Sequence, residues 1–179
     1  MELKGEKITL IPIESEDKDQ LYKLATESYG GTSWYDRAQR AKLTREKFFR
    51  DWNDNYFDIN LPQKGQCFWI VLEKERIGSI NYNAIDERNK KVELDIIIGA
   101  EENLSKGYGS DALRTLIKYL FDNFDINKIW ITARTNNPRA IKAYEKVGFK
   151  REGLLRQESF FDDQFVDCVR FAILKAEFK

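Results

Sequence analysis

Residues Asn137 to Phe149 read N-P-R-A-I-K-A-Y-E-K-V-G-F. Asn137 offers an N-cap side chain, Pro138 suits the first helical position, and Gly148 stands just past the last turn. That punctuation predicts a short capped helix. Upstream, Leu104-Ser105-Lys106-Gly107-Tyr108-Gly109-Ser110 lies between an extended run and a helical one. Ala112, Leu113, Leu116, Ile117, Leu120, Phe121 and Phe124 then recur at helical spacing. Glycines at a strand-to-helix junction turn backbone N–H groups outward at the positive helix end, which suits a pyrophosphate. Lys106 adds local positive charge. A Walker A loop is excluded, because no G-x-x-x-x-G-K-[ST] exists. Gly107-x-Gly109-x-x-Ala112 fits the dinucleotide pattern formally, but it follows hairpin-like strands. The next strand also ends in Ala133-Arg134 without the ribose-binding acid. A glycine-rich helix entry that holds no ligand is the third reading of this loop.

Working outward, Lys128–Arg134 (KIWITAR) reads as the strand between these two helices, and Lys91–Ile98 (KVELDIII) as the strand before the loop. Lys7–Ile13 alternates with period two and predicts an opening strand, followed by a helix over Asp17–Ser28 and a turn at Tyr29–Ser33. Thr44 caps a second predicted helix over Thr44–Asn55, in which Lys47, Phe48, Asp51 and Trp52 give mixed faces. Gln66–Glu73 and Arg76–Tyr82 are strands joined at Lys74-Glu75; Arg151–Phe161 and Phe165–Leu174 are strands turning at Asp162-Asp163. With no Pro/Ser-rich linker, repeat or charge run, the pattern predicts a single α+β domain over 1–179. A meander leads into a strand–helix–strand crossover.

The chain has 179 residues, 30 Lys+Arg, 30 Asp+Glu and no histidine. The missing imidazole excludes Ser-His and Cys-His nucleophile pairs and His-ligated metal sites, so proton chemistry falls to carboxylates, Tyr, Lys, Cys or water. Zero formal charge shows no basic surplus for a nucleic-acid partner. Cys67 and Cys168 lie far apart in apolar runs and read as buried reduced thiols. The N-terminal MELKGEKITL lacks a signal-peptide apolar region, and no apolar stretch is long enough to span a bilayer. The expectation is a cytoplasmic protein with no membrane partner.

Taken together, the Leu94–Ile98 strand, the K-G-Y-G-S loop and the N-P-R-A-I-K-A-Y-E-K-V-G-F helix resemble the GNAT superfamily of acetyl-CoA-dependent N-acetyltransferases. The match covers about Lys91–Lys150 and continues less sharply through Arg156–Lys175. The aminoglycoside 6′-N-acetyltransferase, spermidine and ribosomal-protein branches are nearest. Leu104 departs from the family, where Gln or Arg is usual. The resemblance implies a mixed α/β fold with a mostly antiparallel twisted sheet, flanked by helices and splayed between Lys91–Ile98 and Lys128–Arg134. Acetyl-CoA is the implied co-substrate, with no metal. Backbone groups of Ile96, Ile97 and Ile98 would bind its pantetheine arm and thioester. Leu104, Ser105, Lys106, Gly107, Tyr108, Gly109 and Ser110 would hold the phosphates, and Asn137, Arg139, Ala140 and Tyr144 would border the cofactor. The family often dimerises, though no apolar stripe here marks an interface.

Acetyl transfer requires an amine of pKa near ~10 to lose a proton, so a base must act at neutral pH. Period-two geometry puts Glu93, Asp95 and Ile97 on one strand face. Two adjacent carboxylates raise each other's pKa; read alone, they better describe a solvated strand face. The resemblance assigns Asp95 and Glu93 as candidate bases and Tyr144 as the acid that protonates the departing sulfur. Tyr144 also fits a core position beside Ala140, Ala143 and Val147. An amide of Ile97 or Ile98 is the expected oxyanion donor. Trp34, Tyr35, Asp36, Trp52 and Asp54 interleave aromatics with acids and suit a cationic amine, or simply pack helices onto the sheet. The expected activity is direct acetyl transfer to a small primary amine of aminoglycoside or polyamine type. Acetylation of a protein N-terminus, a non-catalytic acetyl-CoA sensor and, more remotely, a nucleotide-binding oxidoreductase are the alternatives.

Overall fold

The computed structural model describes residues 1–50, 52 and 54–179. Its strands are β1 (Leu3–Lys4), β2 (Thr9–Pro12), β3 (Gln66–Leu72), β4 (Glu75–Tyr82), β5 (Lys91–Ile98), β6 (Lys128–Arg134), β7 (Lys150–Phe161) and β8 (Gln164–Leu174). Its helices are α1 (Lys18–Glu27), α2 (Arg37–Lys42), α3 (Arg45–Phe49), α4 (Tyr108–Asn123) and α5 (Pro138–Val147). The strands form an eight-stranded sheet in the order β1-β2-β3-β4-β5-β6-β8-β7. All neighbours are antiparallel except β5 and β6, which run parallel because α4 carries the chain across between them.

That one parallel contact is short. Lys91, Val92 and Glu93 pair with Lys128, Ile129 and Trp130. Beyond Glu93 and Trp130 the two strands separate, which is the splay that the family resemblance implied. One sheet face carries the larger core, where Leu113, Leu116, Ile117 and Leu120 of α4 pack on Ile80, Leu94, Ile129 and Ile131. The other carries a smaller cluster of Ile13, Leu21, Ala25, Phe48, Phe57, Cys67, Trp69 and Val71. Both cysteines are free and buried.

Corrections to the sequence reading concentrate between the first helix and the third strand. The helix expected over Thr44–Asn55 ends at Phe49, and Asp54–Phe57 makes a 3-10 turn instead. Thr44 does cap it, accepting from the Lys47 amide at 3.3 Å. The run that follows is rich in Asp and Asn, which trade helix for local turns; Asp51 lies outside the described residues. Helix α2 was not expected, since Arg37–Lys42 has no apolar stripe. A reciprocal capping box between Asp36 and Gln39 holds its start. The β3–β4 turn is Glu73-Lys74, because Leu72 pairs with Glu75. The Asp162-Asp163 turn stands as expected, with both residues at positive φ (50° and 59°), the mirror-type geometry of a two-residue hairpin.

Candidate active site

A cavity of about 980 Å³ opens where β5 and β6 part. Asp95, Ile96, Ile97 and Ile98 wall one side, and Thr132, Ala133 and Arg134 the other. Ladder parity determines which backbone groups are available. The Asn83 amide donates to Glu93 O at 3.0 Å, and the Gly99 amide donates to Ile77 O at 2.8 Å. Odd-numbered residues of β5 therefore bond to β4, and Leu94, Ile96 and Ile98 turn their N–H and C=O groups toward the gap. This removes Ile97 as an amide donor, although the residue lines the cavity: its carbonyl faces Gly78. Ile98 is the donor that remains.

At the cavity's upper end α4 begins on Gly107, whose φ of 89° is left-handed and favours glycine. No side chain caps this helix, and Gly107, Tyr108, Gly109 and Ser110 line the cavity at its first turn. A Cβ built on Gly109 would point between the helix and β5, 3.7 Å from both Ile96 Cδ1 and Ile98 Cγ1. Leu104 and Ser105 also line the cavity, whereas Lys106 does not; its carbonyl accepts from Lys7 Nζ at 3.2 Å. Across the cavity, Asn137 caps α5 by accepting from the Ala140 amide at 3.2 Å. Arg139 and Ala140 line the wall, together with Lys142 and Lys146, which the sequence reading missed. Their i, i+3, i+7 spacing from Arg139 was the readable signal. Open helix-end amides beside three cations, with a gap edged by unpaired strand groups, fit a long phosphorylated arm such as that of coenzyme A.

Asp95 and Tyr144 meet this gap from opposite walls. Tyr144 is buried, with its ring 5.7 Å from Phe171 and 6.1 Å from Phe149. Both sequence readings of it hold in part: the ring is core, yet the residue lines the cavity, and its hydroxyl makes no hydrogen bond among the described residues. Burial, and secondarily Asp95, push its phenol up. Burial also raises Asp95, opposed by the Asn81 side chain, whose Nδ2 lies 3.5 Å from Oδ2. Glu93 is pushed up to about 7 by burial and by Asp95, against the pull of Asn83 and Arg170. It stands one step behind the cavity wall and accepts from Asn83 Nδ2 at 3.0 Å. Tyr56 donates to Asn83 Oδ1 at 3.2 Å, extending the network along the cavity wall. Asn81, Asn83 and Tyr56 were missed as well. The signal was N-Y-N at the end of β4, which antiparallel pairing sets against E-L-D of β5.

Trp34, Tyr35 and Trp52 line the cavity. Two expected acids do not. Asp36 is buried as the α2 cap, accepting from the Gln39 amide at 2.7 Å and the Asp162 amide at 3.3 Å. Asp54 is exposed and pairs with Lys18 at 2.6 Å. No helix among the described residues is long and apolar enough to cross a membrane.

A family model described as an acetyltransferase (GNAT) domain matches residues 7–150. The spermidine N(1)-acetyltransferase of Escherichia coli K12 is 25% identical over 171 residues, covering 96% of this chain and 88% of that protein. The ribosomal-protein-serine acetyltransferase of the same organism is 31% identical over 117 residues, covering 64% of this chain and 65% of its own. A crystal structure of spermidine N-acetyltransferase from Vibrio cholerae, in complex with CoA and spermine, superposes with a TM-score of 0.78. It is 23% identical and covers 96% of this chain and 97% of that one, a likeness of fold.

Proposed function

The chain belongs to the GNAT family and is an acetyl-CoA-dependent N-acetyltransferase, and from that premise we propose that it acetylates a primary amine of a small molecule by direct attack. The observation that carries this reading is the approach of Asp95 and Tyr144 to one another across the β5–β6 gap. Acetyl-CoA, when bound, supplies an acyl group activated as a thioester. The first-turn amides of α4, with Arg139, Lys142 and Lys146, hold its phosphates, and the free edge of β5 holds its amide-bearing arm. The Ile98 N–H donates to the carbonyl oxygen as charge develops there. Asp95, its carboxyl pKa raised by burial, takes the proton from the incoming ammonium, with Glu93 beside it. Tyr144 gives its phenolic proton to the departing sulfur.

Trp34, Tyr35, Trp52 and Tyr56 supply aromatic walls for the acceptor. With Asp36 and Asp54 directed elsewhere, support for an aminoglycoside or polyamine rests on Asp95 and Glu93 alone. The test is thiol release from acetyl-CoA over a panel of aminoglycosides, polyamines, amino acids and N-terminal peptides. Asp95→Asn is expected to lower kcat/KM by about 10²–10⁴-fold, the usual worth of a positioned base. Undiminished turnover in Asp95→Asn removes that assignment. A preference for peptides over every small amine transfers the acceptor role to a protein N-terminus.

A further inference from the structure

Two arginines on the Asp95 side of the sheet lack a direct ion pair among the described residues, though Asp162 and Asp36 act on Arg134 and Glu93 lies near Arg170. Arg134 lines the cavity. Strand β6 buries Ile129, Ile131 and Ala133 in the larger core. It therefore turns Trp130, Thr132 and Arg134 to the opposite face, the side on which β5 carries Glu93 and Asp95. Register sets Arg134 against Cys168 and Thr132 against Arg170. Arg170 thus shares the face with Arg134, as a diagonal neighbour at about 7–8 Å. The Arg134 guanidinium lies 3.8 Å from the Phe161 ring centroid and donates one N–H to Ser33 O. That of Arg170 lies 4.2 Å from the Trp130 ring. Neither forms an ion pair among the described residues. The Nε atom of Arg170 is buried without a hydrogen-bond partner. Of the acids nearby, Asp36 is held by the Gln39 and Asp162 amides and Glu93 by Asn83, while the Asp162 carboxylate acts on Arg134 from an exposed turn.

Leaving a half-buried guanidinium without a direct ion pair is costly. A guanidinium held flat on an aromatic ring is a pre-set fork for a carboxylate or phosphate. We propose that Arg134, assisted by Arg170, determines acceptor specificity by binding an anionic oxygen group at the end of the acceptor remote from its amine. The inference rests on the acetyl-transfer reading of this cavity and narrows its substrate class. Asp95 on β5 and Arg134 on β6 lie beyond the point where these strands part, so amine and anion are separated by more than one strand width, upwards of about 5 Å. That span fits an ω-amino acid or an aminoalkyl phosphate. It disfavours a polyamine, whose second ammonium would face a guanidinium.

Four probes of matched length test this with the CoA-loaded protein for binding and acetyl-CoA for turnover: ε-aminocaproate, ε-aminocaproamide, hexamethylenediamine and aminopentyl phosphate. Calorimetry gives Kd and thiol release gives kcat/KM. At least one anionic probe is expected to exceed the amide tenfold or more in both, and the better anion identifies carboxylate or phosphate. Arg134→Gln should bring that preference to parity with the affinity for CoA unchanged. Arg170→Gln, which spares the Phe161 and Ser33 contacts, should reduce it severalfold. Best performance by the diamine, an anion preference that survives both substitutions, or an equal loss of CoA affinity in Arg134→Gln overturns the proposal. Tight anion binding with no turnover of any probe removes the acetyl-transfer reading and leaves the anion site. Turnover of amide and diamine without anion preference does the reverse.

Discussion

Glu93 shows how much one side chain's surroundings decide. Burial and the neighbouring Asp95 lift it from its ordinary 4.5 to about 7, while Asn83 and Arg170 pull the other way. Glu93 borders Asp95, the proposed base, and its ionised form favours proton uptake by that carboxylate. The kcat/KM profile should therefore rise through pH 7, and Glu93→Gln should flatten or displace that limb. With no histidine in the chain, imidazole cannot account for it. The same shift bears on stability with a definite sign. Because the folded pKa lies above the unfolded one, the folded state favours the protonated acid. That contribution is complete below about pH 4.5 and is lost as pH rises through 7. Chemical denaturation should find Glu93→Gln more stable than wild type at pH 8 and little different at pH 4. Tyr144→Phe should retain the fold, since the ring contacts persist, and lower kcat on the order of 10²-fold by thiol release.

At the scale of elements, two contacts place the catalytic gap. Asp111, in the first turn of α4, accepts from the Glu6, Lys7 and Ile8 amides at 3.1, 2.7 and 3.1 Å. Asp111→Ala strands three donors at the β1–β2 corner and should cost about 3 kcal/mol in urea unfolding. Gly30 stands so close to β5 that an added Cβ would fall 1.8 Å from Ile98 O. Gly30→Ala must push the 3-10 turn Gly30–Ser33 off the strand, and kcat/KM is expected to fall on the order of 10²-fold, as for an ångström's misplacement. The sequence spoke clearly where periodicity and caps agreed. The bounds of β5 and β6 and the Asn137 and Gly148 caps of α5 were legible because neighbouring residues repeated one message. It spoke poorly around Arg37–Phe57, where elements of four to six residues are held by tertiary contacts rather than by their own pattern. Site residues followed the same division. Asp95 and Tyr144 lie on regular elements, whereas Asp36 became a helix cap and Asn83 emerged only through strand register.

For the molecule as a whole, the two faces of the sheet differ in construction. The α4 face buries a continuous aliphatic core under a sixteen-residue helix. The opposite face is covered by short helices and a run of rings, Phe48, Phe49, Trp52 and Phe57, with centroids 4.7–6.1 Å apart. Amide exchange should therefore begin in α2 and α3 and reach α4 and β4 last. Saturation with CoA at a hundred times its Kd should raise Tm by about 5–10 °C, since the ligand ties β5, α4 and α5 together. Arginine-lined or aromatic, the walls proposed for the acceptor rise mostly from the lightly built face, while the groups proposed to hold the cofactor arm sit on the heavily built one. A lineage carrying this architecture can try new acceptors by altering a few rim residues without disturbing what keeps the chain folded or what binds its acyl donor. Evolvability here is a property of the layering.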